Sequence, residues 1–311
     1  MRGRIVTAGQ ERYDLPELYT WELCCTGSVP CDSFEIGCGY DAAMLPILET
    51  ACRFEALEDG EVIFRGVVDE YGVTNSESGL TLTLRGRGMA ALLLDNETEA
   101  ATYQRATLGE LLRRHAEPYG IEVEMDGDIA AQEIYKVAGG SSEWKALSDF
   151  TRQFGGYLPR FTKLGVLRLA KDVGGRALAL SPQAAILSAG WREKRYGVVS
   201  KVTVISRGGA LRQDVVNEEF SERGGQSRRV LYSTAGDPES MRAAGKYKIE
   251  QSCAEEKILT LEIAGSVAAE PFDVIEATLP ALGIAGAFRV REVLRRMDAA
   301  GERTRLKLEE E

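Results

Sequence analysis

The chain has 311 residues, 44% hydrophobic and 28% charged, and its 48 acidic and 38 basic side chains give a net charge of −10. This composition excludes a disordered chain, because it supplies enough apolar material for packed cores, and the length predicts two or three domains. The acidic balance argues against general nucleic-acid binding, since phosphate backbones favour clustered positive charge. It would still let DNA pass close by without being held.

The beginning of the sequence has no apolar core behind its charges, so no signal peptide is predicted. No segment is long and apolar enough to predict a membrane span. We therefore expect a protein made in the cytoplasm, with reduced cysteines and no stable membrane association.

Five of the six cysteines are clustered near the start of the chain: Cys24, Cys25, Cys31, Cys38 and Cys52. A zinc site is one interpretation, but no pair has the C-x2-C spacing of typical structural zinc sites. The single histidine, His115, is distant in sequence. We predict buried, reduced thiols without a metal, and the role of the cluster stays open.

The first predicted elements are strands. Residues 61–71 are rich in Val and Ile, and Asp59-Gly60 before them is typical of a hairpin turn. Leu80, Leu82 and Leu84 then alternate with polar residues, which is the period of a strand with one buried face.

The middle of the chain changes to helical patterns. Thr107 and Glu110 form a capping box, and the stripe that follows comprises Leu108, Leu111, Leu112 and His115. A second helix is predicted to begin at Ser142 and to bury one face made of Trp144, Leu147, Thr151 and Phe154. Strands at 121–125 and 166–170 flank these helices, which predicts a small α+β domain at 98–189.

Strand patterns return after this domain. Residues 198–205 predict a strand, and Asp237-Pro238 predicts the start of a third helix, with Asp as its cap and Pro at its first position. Period-2 alternation follows around Leu261, Val290 and Leu306. We predict that 190–212 completes a first β-domain begun by 1–97, and that 213–311 forms a second.

The candidate sites for chemistry each have a structural interpretation that we favour. His115 lies on an apolar helical stripe, which is typical of a half-buried structural histidine. The acidic run of Glu122, Glu124, Asp126 and Asp128 lacks calcium-loop spacing and is predicted to be a solvated strand face. We therefore predict no catalytic residue, no cofactor site and no metal site.

Two further segments could indicate nucleotide or nucleic-acid binding. Gly86-Arg87-Gly88 follows a strand but lacks the remaining glycines and the Gly-Lys-Ser/Thr of a phosphate loop, so its glycines are predicted to relieve crowding. The basic segment 192–196 predicts either the entry to the strand at Val198 or a contact with an acidic partner.

Several segments, in order and spacing over about 30–205, resemble the baseplate hub proteins of Mu-like contractile phage tails, akin to the late control protein D family. They read VIFRGVVDE at 62–70, LRGRGMAALLLDN at 84–96, TL at 107–108, PYGI at 118–121, GSSEW at 140–144 and EKRYGVVS at 193–200. FRV at 288–290 and MDAAG at 297–301 are similar but less specific.

The resemblance implies two β-barrels like those of tail-tube subunits, with the α+β domain inserted between them. It implies a homotrimer that joins the hexameric tail-tube protein above to the central spike protein below, next to other baseplate proteins. DNA would be passing cargo only. The location would be the baseplate of a virion or phage-tail-like particle assembled in the host cytoplasm.

Two other functions compete with the structural hub. A tail-associated cell-wall hydrolase would need a catalytic acid or a metal site, and a nucleic-acid-binding barrel would need a basic surface. The sequence leaves open whether the parent particle is a phage, a defective prophage, a bacteriocin or another injection machine.

Overall fold

The protein is built mainly of β-strands, and the structure, a computed structural model, describes residues 1–27, 31–77, 79–180, 185–233 and 237–310. The strands are β1 (Arg2–Thr7), β2 (Arg12–Asp14), β3 (Leu18–Thr26), β4 (Ser33–Gly39), β5 (Ala51–Glu58), β6 (Glu61–Ser76), β7 (Gly79–Gly88), β8 (Ala101–Tyr103), β9 (Val123–Met125), β10 (Tyr135–Val137), β11 (Arg160–Phe161), β12 (Leu167–Leu169), β13 (Ala177–Leu178), β14 (Ile186–Glu193), β15 (Lys201–Ser206), β16 (Arg212–Val216), β17 (Arg228–Ser233), β18 (Lys257–Ala264), β19 (Val274–Leu279), β20 (Ile284–Asp298) and β21 (Gly301–Glu310). The predicted β-rich α+β class is confirmed.

The helices are few and short. They are α1 (Leu45–Leu48), α2 (Ala91–Leu94), α3 (Leu108–His115), α4 (Glu143–Phe150), α5 (Glu218–Glu222) and α6 (Pro238–Cys253). Short 3₁₀-helical turns lie at Ala42–Met44, Glu117–Tyr119 and Pro280–Leu282, and a π-helical turn lies at Thr151–Gly155. None of the helices in the described ranges combines the length and the hydrophobicity that crossing a bilayer requires.

One 13-stranded sheet contains strands from both ends of the chain. Its main path is β14-β18-β21-β20-β3-β4-β7-β6-β5-β1-β2, and β19 with β13 attaches beside the first half of β20. The pairs along the main path are antiparallel. The N-terminal and C-terminal strands therefore belong to one hydrogen-bonded structure.

The local signals of the sequence explain these strands. Asp59 and Gly60 join β5 to β6, and both have positive φ (51° and 86°), as a type I′ hairpin turn requires. Leu82 and Leu84 of β7 are fully buried between polar neighbours, and Leu261 of β18 is too. Period-2 alternation thus identifies the buried face of each strand.

The sheet contains two six-stranded units with the same strand order. The first unit is β3-β4-β7-β6-β5-β1 and the second unit is β14-β18-β21-β20-β19-β13. In chain order, β1, β3, β4, β5, β6 and β7 correspond to β13, β14, β18, β19, β20 and β21, so both units follow the same path. They differ in one pair, since β1 is antiparallel to β5 whereas β13 is parallel to β19.

Two irregularities recur at equivalent places in the two units, whereas the shifts after Val6 and Ala56 are found in the first unit alone among the described pairs. The long strand of each unit shifts register halfway along, at Asp69 in β6 and at Arg291 in β20. The outer strands β3 and β14 shift register near their beginnings, at Tyr19 and at Leu187. Because a bulge bends a strand at a defined point, equivalent bulges give the two units the same local geometry as well as the same order.

The two units are joined by pairing between β20 and β3, which we call the seam. Residues 292–297 of β20, after its bulge, pair with 21–26 of β3, whereas the earlier half of β20 pairs with β19. The strand β20 therefore belongs to both units.

Each unit has its own hydrophobic core. The core of the first unit includes Phe54 and Phe64, and that of the second includes Phe288 and Leu306. A third core, built on Leu111 and its neighbours in α3 and α4, lies in the α+β segment between the units.

The helices of the α+β segment begin where the sequence predicts. Thr107 accepts a hydrogen bond from the backbone N–H of Glu110, and Ser142 accepts one from Lys145. The predicted buried face of α4 needs correction: Leu147 is fully buried, but Trp144 is only half-buried and packs beside Phe161. The helix turns Ala146 and Phe150 inward, so Trp144 lies at the margin of the core.

The predicted assignment of 190–212 to the first unit is wrong. The strand β14 pairs with β18 and so belongs to the second unit. The strand β15 lies outside the large sheet, between β16 and β17, and packs on α6 over a small core around Val204 and Met241. The strands β16 and β17 and the helix α6, from the segment predicted to open the second unit, instead form this separate sheet and cover its core. Strand periodicity reveals a buried face but not the partner strand, which here lies dozens of residues away.

Candidate functional site

The lone histidine lies in a buried polar cluster between α3 and α4. His115 is 1% exposed, and its Nδ1 contacts the carboxylate of Glu143 while its Nε2 lies 3.3 Å from the Tyr103 hydroxyl. The Tyr119 hydroxyl donates to the second oxygen of Glu143 at 3.2 Å. Burial raises the pKa of both tyrosines, so their hydroxyls stay protonated and can donate.

Both ring nitrogens of His115 are therefore engaged within the fold. The prediction of a half-buried histidine underestimated its burial, and its partner Glu143 was not predicted. Glu143 is the first residue of α4, where a carboxylate is favoured by the helix dipole. The cluster connects two helices and lies in the core, where His115 is shielded from solvent.

The acidic run is exposed and holds neighbouring elements together. Glu124 on β9 pairs with Arg168 on β12 at 3.3 Å, and Asp128 accepts a hydrogen bond from the backbone of Gly109 in the first turn of α3 at 3.0 Å. Across the described ranges, no three His, Cys, Asp or Glu side chains are arranged to hold a metal ion.

The clustered cysteines are free thiols; four lie on strands of the first unit, and Cys31 comes just before β4. Cys24 and Cys25 are on the seam strand β3, and Cys38 is completely buried on β4. Burial raises the pKa of Cys24 to about 12 and that of Cys31 to about 11, and it raises the pKa of Cys25 as well. The thiolate forms needed for metal binding or nucleophilic attack are thus disfavoured near neutral pH.

Gly86-Arg87-Gly88 is closed to phosphate. Arg87 binds the carboxylate of Asp69 at 2.7 and 2.9 Å and that of Asp95 at 2.6 and 3.0 Å, which satisfies its guanidinium. A Cβ at position 86 would lie 1.9 Å from the carbonyl oxygen of Val67. The glycine here relieves crowding, as predicted.

The basic segment 192–196 is at the end of β14 and just after it. Arg192, Lys194 and Arg195 are exposed, and Tyr196 is 88% exposed. Arg195 pairs with the neighbouring Glu193 at 2.8 Å. Two of these residues, Arg192 and Glu193, belong to β14, an edge strand of the large sheet, rather than to the segment that leads into the predicted strand at Val198.

A cavity of about 400 Å³ lies where the two units and the α+β segment meet. Its walls carry both signs of charge: Lys163 pairs with Glu270 at 2.8 Å, and Arg176 pairs with buried Asp273 at 3.0 Å. Burial raises the pKa of Asp32 at this cavity to about 7, although its Oδ1 accepts a hydrogen bond from the backbone of Thr26 at 2.8 Å. These paired charges connect the α+β segment and the chain that follows it to the second unit.

Ion pairs also fix the seam. Arg295 of β20 binds Glu58 of the first unit and Glu302 of the second, the latter at 2.9 Å. Its guanidinium lies over the Trp21 ring, 5.5 Å from the centroid. These side-chain contacts join segments that are far apart in sequence at the boundary between the two units.

The fold is that of phage tail proteins. The 43 kDa tail protein of prophage MuSo2 from Shewanella oneidensis matches 99% of this chain and 97% of its own, with a TM-score of 0.81 and 17% identity. A tail protein from Neisseria meningitidis MC58 matches 100% of this chain and 96% of its own, also with a TM-score of 0.81 and 17% identity.

A more distant likeness extends to a secretion machine. A component of the E. coli type VI secretion system, described as structurally similar to the T4 tail proteins gp27 and gp5, matches 95% of this chain and 74% of its own, with a TM-score of 0.59 and 14% identity. No family model matches the sequence, and no curated protein matches it either. The predicted resemblance to tail and baseplate proteins is confirmed.

Proposed function

We propose that the protein is a structural hub subunit of a phage-type tail baseplate and that three copies form a ring on the tail axis. The observation that carries the proposal is the pair of units with one strand order and equivalent bulges. Three such chains supply six similar units, which suits docking onto a hexameric tail tube above. The central spike and other baseplate proteins would bind the remaining faces.

In this proposal each unit is a barrel of the tube-subunit type, and the other segments hang outside the ring. Separate cores in the two units favour this division. Head-to-tail contacts between unlike faces close when the rotation per chain divides the circle. We expect each obligate interface to bury about 2,000 Å² or more.

The hub needs no catalytic group, cofactor or metal. The acidic excess of the chain favours a lumen that repels passing DNA rather than holding it. The competing cell-wall hydrolase would need an accessible acid or base, whereas His115 and Glu143 are buried and engaged with one another. A zymogram on peptidoglycan tests this alternative, and clearing by the purified chain would contradict the structural role.

The assembly is tested by light scattering on the full chain and by imaging a labelled chain in the particle. We expect a trimer located on the tail axis, between the tube and the spike. A label away from the axis, or a stable oligomer of another order, would overturn the proposal.

A further inference from the structure

Two strand edges are open at opposite ends of the repeated structure. In β6, residues 70–75 pair with β7 on one side, while the pairing with β5 ends at Val67. At the far end of the sheet, β14 pairs with β18 alone among the described strands. Open edges present unpaired backbone donors and acceptors, so each can accept another strand.

The seam shows what the equivalent edges do inside the chain. The strand that corresponds to β6 is β20, and its second half pairs with β3. The strand that corresponds to β3 is β14. Each open edge is therefore the counterpart of an edge that is already paired in the seam.

Side-chain exposure supports the same correspondence. In β20, Val293 directly follows Glu292, the first paired residue after the bulge, and it is 4% exposed in the seam. Its counterpart Tyr71 follows the bulge of β6 and is 37% exposed. Likewise Leu23 of β3 is 4% exposed, and its counterpart Trp191 of β14 is 37% exposed. Apolar side chains that the seam covers are left uncovered at the two open edges.

The charges at the two edges are complementary. Glu292 pairs with Thr26 at one end of the seam, and the counterparts of these residues are Glu70 and Lys194. Both counterparts are exposed, and neither has an ion pair within the described ranges. A glutamate would thus face a lysine where the two edges meet.

We propose that the open edge of β6 in one chain pairs antiparallel with β14 of the next chain, in the register of the seam. Glu70 then lies opposite Lys194, Val73 opposite Trp191, and Thr74 opposite Gly190. The partner is a second copy of this chain, because the seam supplies both halves of the contact. This inference rests on the proposed ring and adds the surface and the register by which it closes.

Cysteine cross-linking of the full chain tests the pairing. Thr74→Cys with Gly190→Cys places two thiols on facing strands, within the Cα separation that a disulfide needs. Mild oxidation should then link chains to each other, and the ladder on a non-reducing gel should stop at three. The wild-type chain and the pair Thr74→Cys with Val230→Cys, whose second position is exposed on β17, are the controls.

The outcomes separate the pairing from the ring. Cross-linked ladders that continue past three support the pairing and contradict closure at three. A trimer by light scattering that fails to cross-link, or that cross-links no better than the Val230 control, overturns the pairing and leaves the ring. A chain that stays monomeric at about 1 mM overturns both, because even an association with a Kd of about 1 mM would be visible at that concentration.

Charge exchange gives a second measurement. Lys194→Glu should lower the yield of the Thr74–Gly190 cross-link several-fold, because it places two carboxylates opposite each other. Adding Glu70→Lys should restore most of it. The register would be contradicted if Lys194→Glu left the cross-linking yield unchanged. It would also be contradicted if the combined Lys194→Glu and Glu70→Lys exchange did not restore the yield.

Discussion

At the scale of single residues, buried charge connects segments that are far apart in sequence. His115 ends α3 and Glu143 begins α4, and their contact closes a polar cluster with two tyrosine hydroxyls. Each member has a partner, which is the condition under which buried polar groups are tolerated in a core. The sequence predicts both helices and a structural role for His115, but not this contact, because helical spacing says nothing about a partner 28 residues away.

Removing the carboxylate should therefore destabilise the α+β segment. We expect Glu143→Ala to lower the free energy of unfolding by about 2 kcal/mol, since it leaves a buried imidazole and the Tyr119 hydroxyl unpaired. Urea unfolding of the full chain measures this. Glu124→Ala, which removes an exposed ion pair, is the matched control and should cost less than about 1 kcal/mol. Equal losses in the two variants would contradict the role of the cluster.

Asp32 should make stability depend on pH. Burial raises the pKa of its carboxyl to about 7 in the folded chain, against about 4 when unfolded. Between these values the folded state binds more protons than the unfolded state, so this group's stabilisation is full below about pH 4 and is lost as pH rises through 7. Asp32→Asn removes the titration. We expect its stability relative to wild type to rise from pH 4.5 to pH 8 in urea titrations, and a constant difference would refute the raised pKa.

At the scale of elements, close backbone approach decides which residues the long hairpin accepts. Gly86 of β7 faces the carbonyl oxygen of Val67 and the ring of Phe34, so there is no room for a side chain. At Gly72 on β6 of the same hairpin, an added Cβ would meet nothing within 4 Å, and the backbone there is unstrained. The two glycines look alike in sequence, and only the packing separates them.

Alanine substitution should separate the two glycines. Gly86→Ala is expected to lower the free energy of unfolding by about 3 kcal/mol, because the ladder between β6 and β7 must move to admit the methyl group. Gly72→Ala should stay within about 0.5 kcal/mol in the dilute chain. Urea midpoints of the two variants give the comparison, and a mild Gly86→Ala would mean that the strands are less closely packed there.

The helices and strands also show which features of the fold can be predicted from the sequence. Caps and turns act within a few residues, so Thr107, Ser142 and the Asp59-Gly60 turn can be placed from sequence. Partners in a sheet depend on contacts across the whole chain. For that reason the sequence identifies β14 neither as a strand of the second unit nor as the counterpart of β3.

At the scale of the whole molecule, the seam makes the two units one structure. Arg295 contributes most visibly, because it binds Glu58 and Glu302 from opposite sides of the seam while covering Trp21. The internal likeness is hidden in the sequence, where the long strands share little beyond Glu70 and Glu292 after their bulges. The likeness between the two units is therefore visible in their strand order and bulge positions, but not in their residue identities.

Truncating Arg295 should weaken both units together. We expect Arg295→Ala to cost about 2 kcal/mol, less than a fully buried pair, because its carboxylate partners are about one-third exposed. Arg85→Ala breaks an exposed pair with Glu35 inside the first unit and should cost less than about 1 kcal/mol. Urea unfolding followed in parallel by fluorescence and circular dichroism measures both. A loss no larger than that of Arg85→Ala would mean that the seam does not depend on this side chain.

The change of partner along β20 has a mechanical consequence. The second half of this strand is hydrogen-bonded to β21 of the second unit on one side and to β3 of the first unit on the other. Because these bonds are perpendicular to the strands, a pull along the strands loads them all together in shear, whereas a pull across the sheet opens them one after another. The seam should therefore resist a force along its strands far better than a force that draws the two units apart sideways.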